Sequence, residues 1–322
     1  MFNILKLPSA VKVDSFSRRY FEMIELRLKA DSGLAGVKLC DLRAKYKALI
    51  LICVVQRGEQ VYVPDGNFEL QSGDRIGIVG APAEITKFLK NIAMLKKQAK
   101  DVMILGGSKS AYYLAKMLLA AGHSVKIIEL QKEKAQMLAD NLHGATVIYG
   151  DGAQQELLLE EGIDSMDAFV ALTGIDEENI LLSYFALGKK VQKVIAKVNR
   201  DEFTPIAEDL GIESIISPKD IVSDIVVRYV RALKNTVGSC MDTLYKVMDG
   251  KAEAAEFSVS DEFKYLGIPL KDIHLRKNML IGGIIRGRRP IVPTGDDVIL
   301  SGDRVIVIAA AKRLNTLADI VE

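Results

Sequence analysis

"DVMILGGSKSAYYLAKMLLAAGHSVKIIEL" (residues 101–130) reads as an apolar strand, a glycine-bearing turn, an amphipathic helix and a second apolar strand ending at Glu129. That order is the opening β-α-β unit of a dinucleotide-binding sheet. Amides at the helix N-terminus face a pyrophosphate, glycines let the backbone come close, and an acid ending the second strand accepts ribose hydroxyls. Glu129 follows Gly106 by 23 residues, near the spacing such a unit needs. The glycine pattern is incomplete. Where G-x-G-x-x-G is expected, the chain has Gly106, Gly107, Ser108, Lys109, Ser110 and Ala111. Alanine in the third place only has to pack against the strand. Serine in the second directs a side chain toward the pyrophosphate. Two readings stay open: a site in which Lys109 or the Ser108 hydroxyl compensates, and a turn that has kept its shape and lost its ligand.

Outward from this unit the alternation continues. Apolar runs at 145–150, 168–174, 193–199 and 211–216 predict further strands, separated by helical patterns such as "QKEKAQMLADNL" and "DEENILLSYFALGKK". Six strands alternating with helices predict an α/β fold with a Rossmann-like, doubly wound parallel sheet. Ligands on such sheets bind at the carboxyl ends of the strands. Those ends carry Glu129, Asp151, Thr173 and Lys197, which with Gly106, Gly107, Ser108 and Lys109 form the candidate cofactor site. Asp151 reads equally as a turn acid and Lys197 as a solvated strand end. A helix at 218–235 follows, with Ile221, Ile225, Val226, Tyr229 and Leu233 at helical spacing. This stripe faces either the chain's own core or a second copy.

On both sides of this domain lies a repeat. "VPDGNFELQSGDRI" (63–76) returns as "VPTGDDVILSGDRV" (292–305), and Arg57/Arg286, Gly66/Gly295 and Asp74/Asp303 are all 229 apart. A spacing held without slippage marks a duplicated module. Each copy, about 22–92 and 253–320, reads as short β-branched strands joined by Gly-Asp turns, with a helical tail ("APAEITKFLKNI", "AKRLNTLADI"). These are two small α+β domains, with 1–21 and 236–252 as the connecting stretches. Arg57, Arg286, Arg288 and Arg289 are ligand candidates by charge; the plainer reading is a solvated basic turn.

Composition excludes more than it assigns. A formal charge of +1 gives no field for nucleic acid or an anionic surface. Three scattered cysteines and three unpaired histidines offer no disulfide framework or metal spacing. No apolar run is long enough to span a bilayer, and the N-terminus lacks a signal-peptide core. Tyr112 and Lys116 spell Y-x-x-x-K, the acid–base pair of short-chain dehydrogenases, but on the helix just after the glycine turn, away from where a nicotinamide lies. No other catalytic constellation is visible.

With these motifs in hand, the chain resembles a family. The 101–130 unit, "GDGAQQELLLEEGIDSMDAFVALTGIDEENILLSYFA" and "ISPKDIVSDIVV" are similar to the nucleotide-binding domain that regulates potassium conductance (RCK, or KTN). The flanking repeats resemble its TrkA-C (RCK-C) companion. The resemblance to the TrkA family covers nearly the whole chain and implies a cytosolic, non-enzymatic regulatory subunit. Such a subunit assembles as a homo-oligomer, dimer to ring, beneath the membrane subunit of a Trk/Ktr potassium transporter. It implies NAD(H) or ATP/ADP as cofactor at the residues above and, in some relatives, small ligands on the companion modules. The family order N-C-N-C is met here as C-N-C. "MFNILKLP" resembles the last helix of a nucleotide domain, so a preceding domain is expected to have been cut away or to be absent from the gene. The competing readings are an NAD(P)-dependent oxidoreductase and a ring scaffold without nucleotide.

Overall fold

The computed structural model describes residues 1–17, 20–30, 32–234, 239–310 and 314–322, without the side chains of 228, 231–234, 239 and 240. Two compact units result: Met1–Pro8 with Lys96–Ile221, and Ser9–Leu95 with Val222–Glu322.

The second unit holds both copies of the repeat. The first copy is a five-stranded antiparallel sheet of β1 (Lys12–Phe16), β2 (Phe21–Arg27), β3 (Ile50–Arg57), β4 (Gln60–Tyr62) and β5 (Arg75–Gly80), ordered β1-β2-β5-β3-β4. Between the two copies the chain builds the first unit's sheet from β6 (Asp101–Leu105), β7 (Ser124–Glu129), β8 (Ala145–Tyr149), β9 (Ala168–Ala171), β10 (Lys193–Lys197) and β11 (Ser214–Ile216). The second copy is β12 (Ser239–Val247), β13 (Ala252–Val259), β14 (Met279–Arg286), β15 (Arg289–Ile291) and β16 (Arg304–Ala310), ordered β12-β13-β16-β14-β15. Its register repeats that of the first. Val54 faces Gly77 as Gly283 faces Ile306, each pair just past a bulge.

The outer strands β1 and β12 lie in stretches that the sequence assigns to connections. The first tail forms the expected helix, Pro82–Asn91. The second is shorter than expected: 311–313 lie outside the described residues, and beyond them the tail makes a single 3₁₀ turn, Leu317–Ile320.

Why β16, "RVIVIAA", is apolar without alternation is explained by where its two faces go. Val305, Val307 and Ala309 enter the core of their own copy with Ile281, Ile284 and Phe257. Ile306, Ile308 and Ala310 enter a second core shared with Phe16, Phe21, Met23, Val54 and Val79 of the other copy. Burial on both faces removes the polar half of the strand pattern. The two copies therefore pack sheet against sheet as one body.

The first unit's six strands are all parallel and ordered β11-β10-β9-β6-β7-β8. This is the doubly wound arrangement expected, with the strand order reversing between β6 and β9. The helices fall where the sequence put them: Lys109–Ala120, Lys132–Asn141, Gln155–Glu160, Asp176–Gly188 and Thr204–Asp209. The short helix Phe2–Lys6 joins this unit, with Leu5 accepting the Ala99 amide at 3.3 Å.

Candidate functional site

The reversal of strand order leaves a crevice at the carboxyl ends of β6 and β9, and Gly106 sits in it. Its φ is +91°, and a Cβ there would lie 3.0 Å from the Thr173 amide nitrogen and 3.1 Å from the Leu172 carbonyl. Only glycine satisfies both the dihedral and the space. Gly107 comes next, and its amide donates to Glu129 Oε2 at 2.5 Å. A Cβ on Gly107 would fall 2.6 Å from that same oxygen. Glu129, 7% exposed, uses its other oxygen to accept the Gln131 amide at 2.7 Å. The carboxylate is thereby fixed at the tip of β7, and each oxygen retains a lone pair for a further donor.

Ser108 corrects the sequence reading. Its side chain does not stand in the crevice; it turns back as the N-cap of helix Lys109–Ala120, where Oγ accepts the Ala111 amide at 3.2 Å. This is the ordinary behaviour of serine ahead of a helix. The cap occupies one of the amides that an anion would otherwise meet. The amides of Lys109 and Ser110 have no acceptor among the described residues, and the Lys109 side chain is exposed.

On the other side of the crevice, Thr173 is held by Asn179. The Thr173 amide and hydroxyl both donate to Asn179 Oδ1 at 2.9 Å, and Asn179 Nδ2 donates to the Lys197 carbonyl at 2.9 Å. Asn179 is fully buried and ties the ends of β9 and β10 together. Asp176, also buried, accepts the amides of Asn199 and Arg200 at 2.9 Å each and the Asn199 side chain at 2.8 Å. Those bonds hold its carboxyl below the usual range against the opposing cost of burial. Neither residue stood out in the sequence, because "IDEEN" reads as favourable negative charge opening a helix. The signal was present in the amide-bearing Asn179 one turn into a helix that follows a strand tip.

Lys197, at the end of β10, keeps its ammonium without a hydrogen-bond acceptor among the described residues. Burial pushes its pKa down, with Asp176 opposing. Asp151 lies at the edge of the group: Gly150 bonds the Glu129 carbonyl at 3.0 Å, while Asp151 accepts its own loop's Ala153 amide at 3.0 Å. That is the turn-acid arrangement. The eight candidates therefore share one edge of one sheet, with Gly106, Gly107, Glu129 and Thr173 in direct contact or one atom removed from it. The anchored carboxylate and the open helix amides beside the glycine turn suit a nucleotide in which a phosphate meets the turn and a ribose meets Glu129.

The basic candidates on the repeats serve otherwise. Arg57 grips Asp74 with two bonds of 2.8 Å, and Arg286 grips Asp303 at 2.9 and 2.8 Å. Each arginine also reaches a backbone carbonyl, of Glu69 or Val298. These guanidinium groups are committed to folding a loop. Arg288 is exposed on the β14–β15 turn and Arg289, also exposed, opens β15. Tyr112 is half-buried and Lys116 exposed on helix Lys109–Ala120, as the non-catalytic reading expects. No metal-binding group of three or more ligands occurs among the described residues.

A Rossmann-type sheet joined to a pair of small antiparallel sheets is the architecture of RCK domains. The chain aligns with the crystal structure of the GsuK RCK domain at a TM-score of 0.53 and 14% identity, over 96% of this chain and 66% of that one. It also aligns with a GsuK channel bound to NAD at 0.53 and 15% identity, over 96% of this chain and 55% of that one. At this identity the likeness concerns the fold. The TrkA-N domain family matches residues 102–218, and the TrkA-C domain family matches 23–93 and again 254–322. The Trk system potassium uptake protein TrkA homolog 1 of Methanosarcina mazei is 30% identical over 310 residues, 96% of this chain and 67% of that protein. The TrkA protein of Azorhizobium caulinodans is 29% identical over 95% of this chain and 66% of its own length. The chain belongs to the TrkA family of Trk-system potassium uptake proteins.

Proposed function

We propose that this chain is a nucleotide-responsive regulatory subunit of a potassium uptake system, working as a homo-oligomer on the cytoplasmic face of a membrane transporter subunit and catalysing no reaction. Family membership supports the transport role. The observation that carries the nucleotide role is the Gly106–Gly107 turn, which sets the Glu129 carboxylate beside a helix start whose Lys109 and Ser110 amides have no acceptor among the described residues. In this reading an adenine nucleotide, NAD(H) or ATP/ADP, lies along the strand tips. Glu129 accepts its ribose hydroxyls, and the amides of Lys109 and Ser110 donate to phosphate. Asp151 borders the adenine end, and Thr173 and Lys197 serve the far half of the ligand. Residues 100–235 make up the nucleotide domain, with a companion module on each side.

A second copy fits on the helix Pro218–Lys234. Ile221, Val222, Ile225, Val226 and Tyr229 are all exposed there, Tyr229 at 66%. A continuous apolar stripe left in water suits burial against a like surface. Among the described residues no helix is long and apolar enough to cross a membrane, which agrees with a peripheral subunit.

The test is ligand-induced stabilisation with NADH, NAD, ATP and ADP. At one hundred times its dissociation constant a true ligand raises unfolding stability by about 2.7 kcal/mol. Lys197→Met removes a charge that the fold does not use. It should leave the unliganded melting temperature unchanged and weaken the ligand about tenfold, the worth of one charge-assisted contact. No stabilisation by any adenine nucleotide would reduce the chain to a ring scaffold. Hydride transfer from NADH to a carbonyl substrate would restore the oxidoreductase.

A further inference from the structure

The two sheets of the second unit meet along a seam with reciprocal contacts. Glu256 accepts the Ser17 amide at 3.0 Å and the Ser17 hydroxyl; at the matching position of the other copy, Glu25 accepts the Met248 amide at 3.3 Å. Both capped residues have positive φ, 42° for Ser17 and 50° for Met248. One step outward the reciprocity continues with different chemistry. Tyr245 of β12 donates its hydroxyl to the Ser15 carbonyl of β1 at 2.7 Å. In return, Lys12 of β1 donates its ammonium to the Lys246 carbonyl of β12 at 2.5 Å. Register shows that Lys12 and Asp14 stand where the other copy has Thr243 and Tyr245: Lys12 faces Glu25 as Thr243 faces Glu256, and Asp14 faces Met23 as Tyr245 faces Ala254. One half of the seam is therefore closed by a neutral phenol and the other by an ion pair.

That ion pair sits among further charges. Lys12 pairs with Asp14 at 3.3 Å, Arg75 with Glu25 at 2.6 Å and Asp249 at 2.8 Å, and Lys246 with Asp224 at 2.8 Å. Asp14 thus lies among Lys12 of its own strand, Glu25 of β2 and Asp224 of the helix Pro218–Lys234. Glu25, 1% exposed, is held by Arg75 at 2.6 Å, whereas Asp14, 12% exposed, has its lysine only at 3.3 Å and is the carboxylate with more to gain from neutralisation.

We propose that the seam between the two copies is a proton-responsive joint, in which Asp14 takes up one proton on acidification, is relieved of repulsion by the Glu25 and Asp224 carboxylates and tightens the fit of one copy on the other. Burial pushes the Asp14 carboxyl up to about 6. Lys12 opposes this, while Glu25 and Asp224 add to it. The direction comes from linkage. A carboxyl that binds its proton more tightly folded than unfolded adds stability as pH falls through the folded value, and that stability is complete below the unfolded value. The contribution is lost as pH rises from about 4 to about 7, so the part that remains at pH 5 is gone by pH 8. The inference stands whether or not a nucleotide binds at Gly106.

The experiment is thermal unfolding of the full chain from pH 5 to pH 8 for the wild type, Asp14→Asn, Lys12→Met and Tyr245→Phe. The wild type should lose roughly 4 °C relative to Asp14→Asn as pH rises across this window, since pairing against the variant cancels other titrations. Lys12→Met should move the midpoint of the profile to higher pH, because the cation that opposes protonation is gone. Tyr245→Phe should lower the melting temperature by the same amount at every pH. A constant difference between wild type and Asp14→Asn overturns the proposal. Should Asp14→Asn fail to fold, an unmoved midpoint in Lys12→Met overturns it instead.

Discussion

The two copies of the repeated module share what shapes them internally and differ where they touch. In each, an arginine ending the third strand clasps an aspartate 17 residues on, Arg57 with Asp74 and Arg286 with Asp303. In each, that aspartate also accepts the amide three residues before it, from Gln71 or Leu300. At the seam the residues part company. Val54 opposite Gly77 in one copy becomes Gly283 opposite Ile306 in the other, so bulk has moved across the ladder. Phe21 fills the space this leaves, with its ring 3.2 Å from where a Gly283 Cβ would be. Joined in one chain, each face meets a single fixed neighbour. The symmetry that an interface between identical subunits imposes no longer binds it.

The sharpest way to break this comparison is to give the second copy the first copy's residue. Gly283→Val places a branched side chain against Phe21 and Ile306. It should cost about 3 kcal/mol, the upper range for overfilling a packed core. In a Phe21→Ala background the same change should cost much less, because the ring that it strikes is gone. Denaturant unfolding of the four proteins gives the coupling directly. An equal cost in both backgrounds would mean that the two volumes do not answer each other.

How far the sequence told this story depends on which side of the comparison is asked. The repeat behind the clasp was visible, since Arg57 and Asp74 recur as Arg286 and Asp303, yet the pairing was not, because charge alone suggested a ligand role or a solvated basic turn for Arg57 and Arg286. The seam was not visible. β1 ("KVDSF") and β12 ("SCMDTLYKV") carry polar residues that match no half-buried strand pattern. Their polar groups serve the opposite copy, and periodicity within one strand cannot register that. In the first unit the glycine turn, the acid at Glu129 and all six strands were legible, because strand tips and helix starts obey local rules. What a rotamer decides was not: Ser108 caps its helix where spacing placed it in the crevice, and Asn179 joins two strands from within an acidic run.

The clasp itself yields the next prediction. Asp74→Asn and Asp303→Asn each exchange a carboxylate, almost fully buried, for an amide that cannot receive both guanidinium bonds. The arginines are about a third exposed, at 33% and 40%, and solvent screens part of the loss. Each variant should lose roughly 2 kcal/mol, the scale of a charged hydrogen bond. The two losses should agree within about 0.5 kcal/mol and add in the double variant, since the sites share no partner. Unequal losses would show that the two copies differ inside as well as at the seam.

The smallest expected effect separates the copies at a single turn. Gly66 and Gly295 occupy equivalent places, each accepting a backbone bond of 2.8 Å, from Cys40 or from Lys271. Neither has positive φ, so alanine is conformationally tolerated at both. A Cβ on Gly66 would sit 3.6 Å from that of Cys40, an ordinary contact, whereas on Gly295 it would come within 3.1 Å of the Lys271 Cβ. Gly66→Ala should therefore stabilise by about 0.5 kcal/mol through the restricted unfolded chain. Gly295→Ala should forfeit that gain to crowding and leave stability unchanged within about 0.3 kcal/mol. Since the backbone bond is the same in both, a difference in denaturation midpoint would come from the side chain opposite. Identical responses would mean that the loops bearing Cys40 and Lys271 yield equally, and that the copies differ only where they meet.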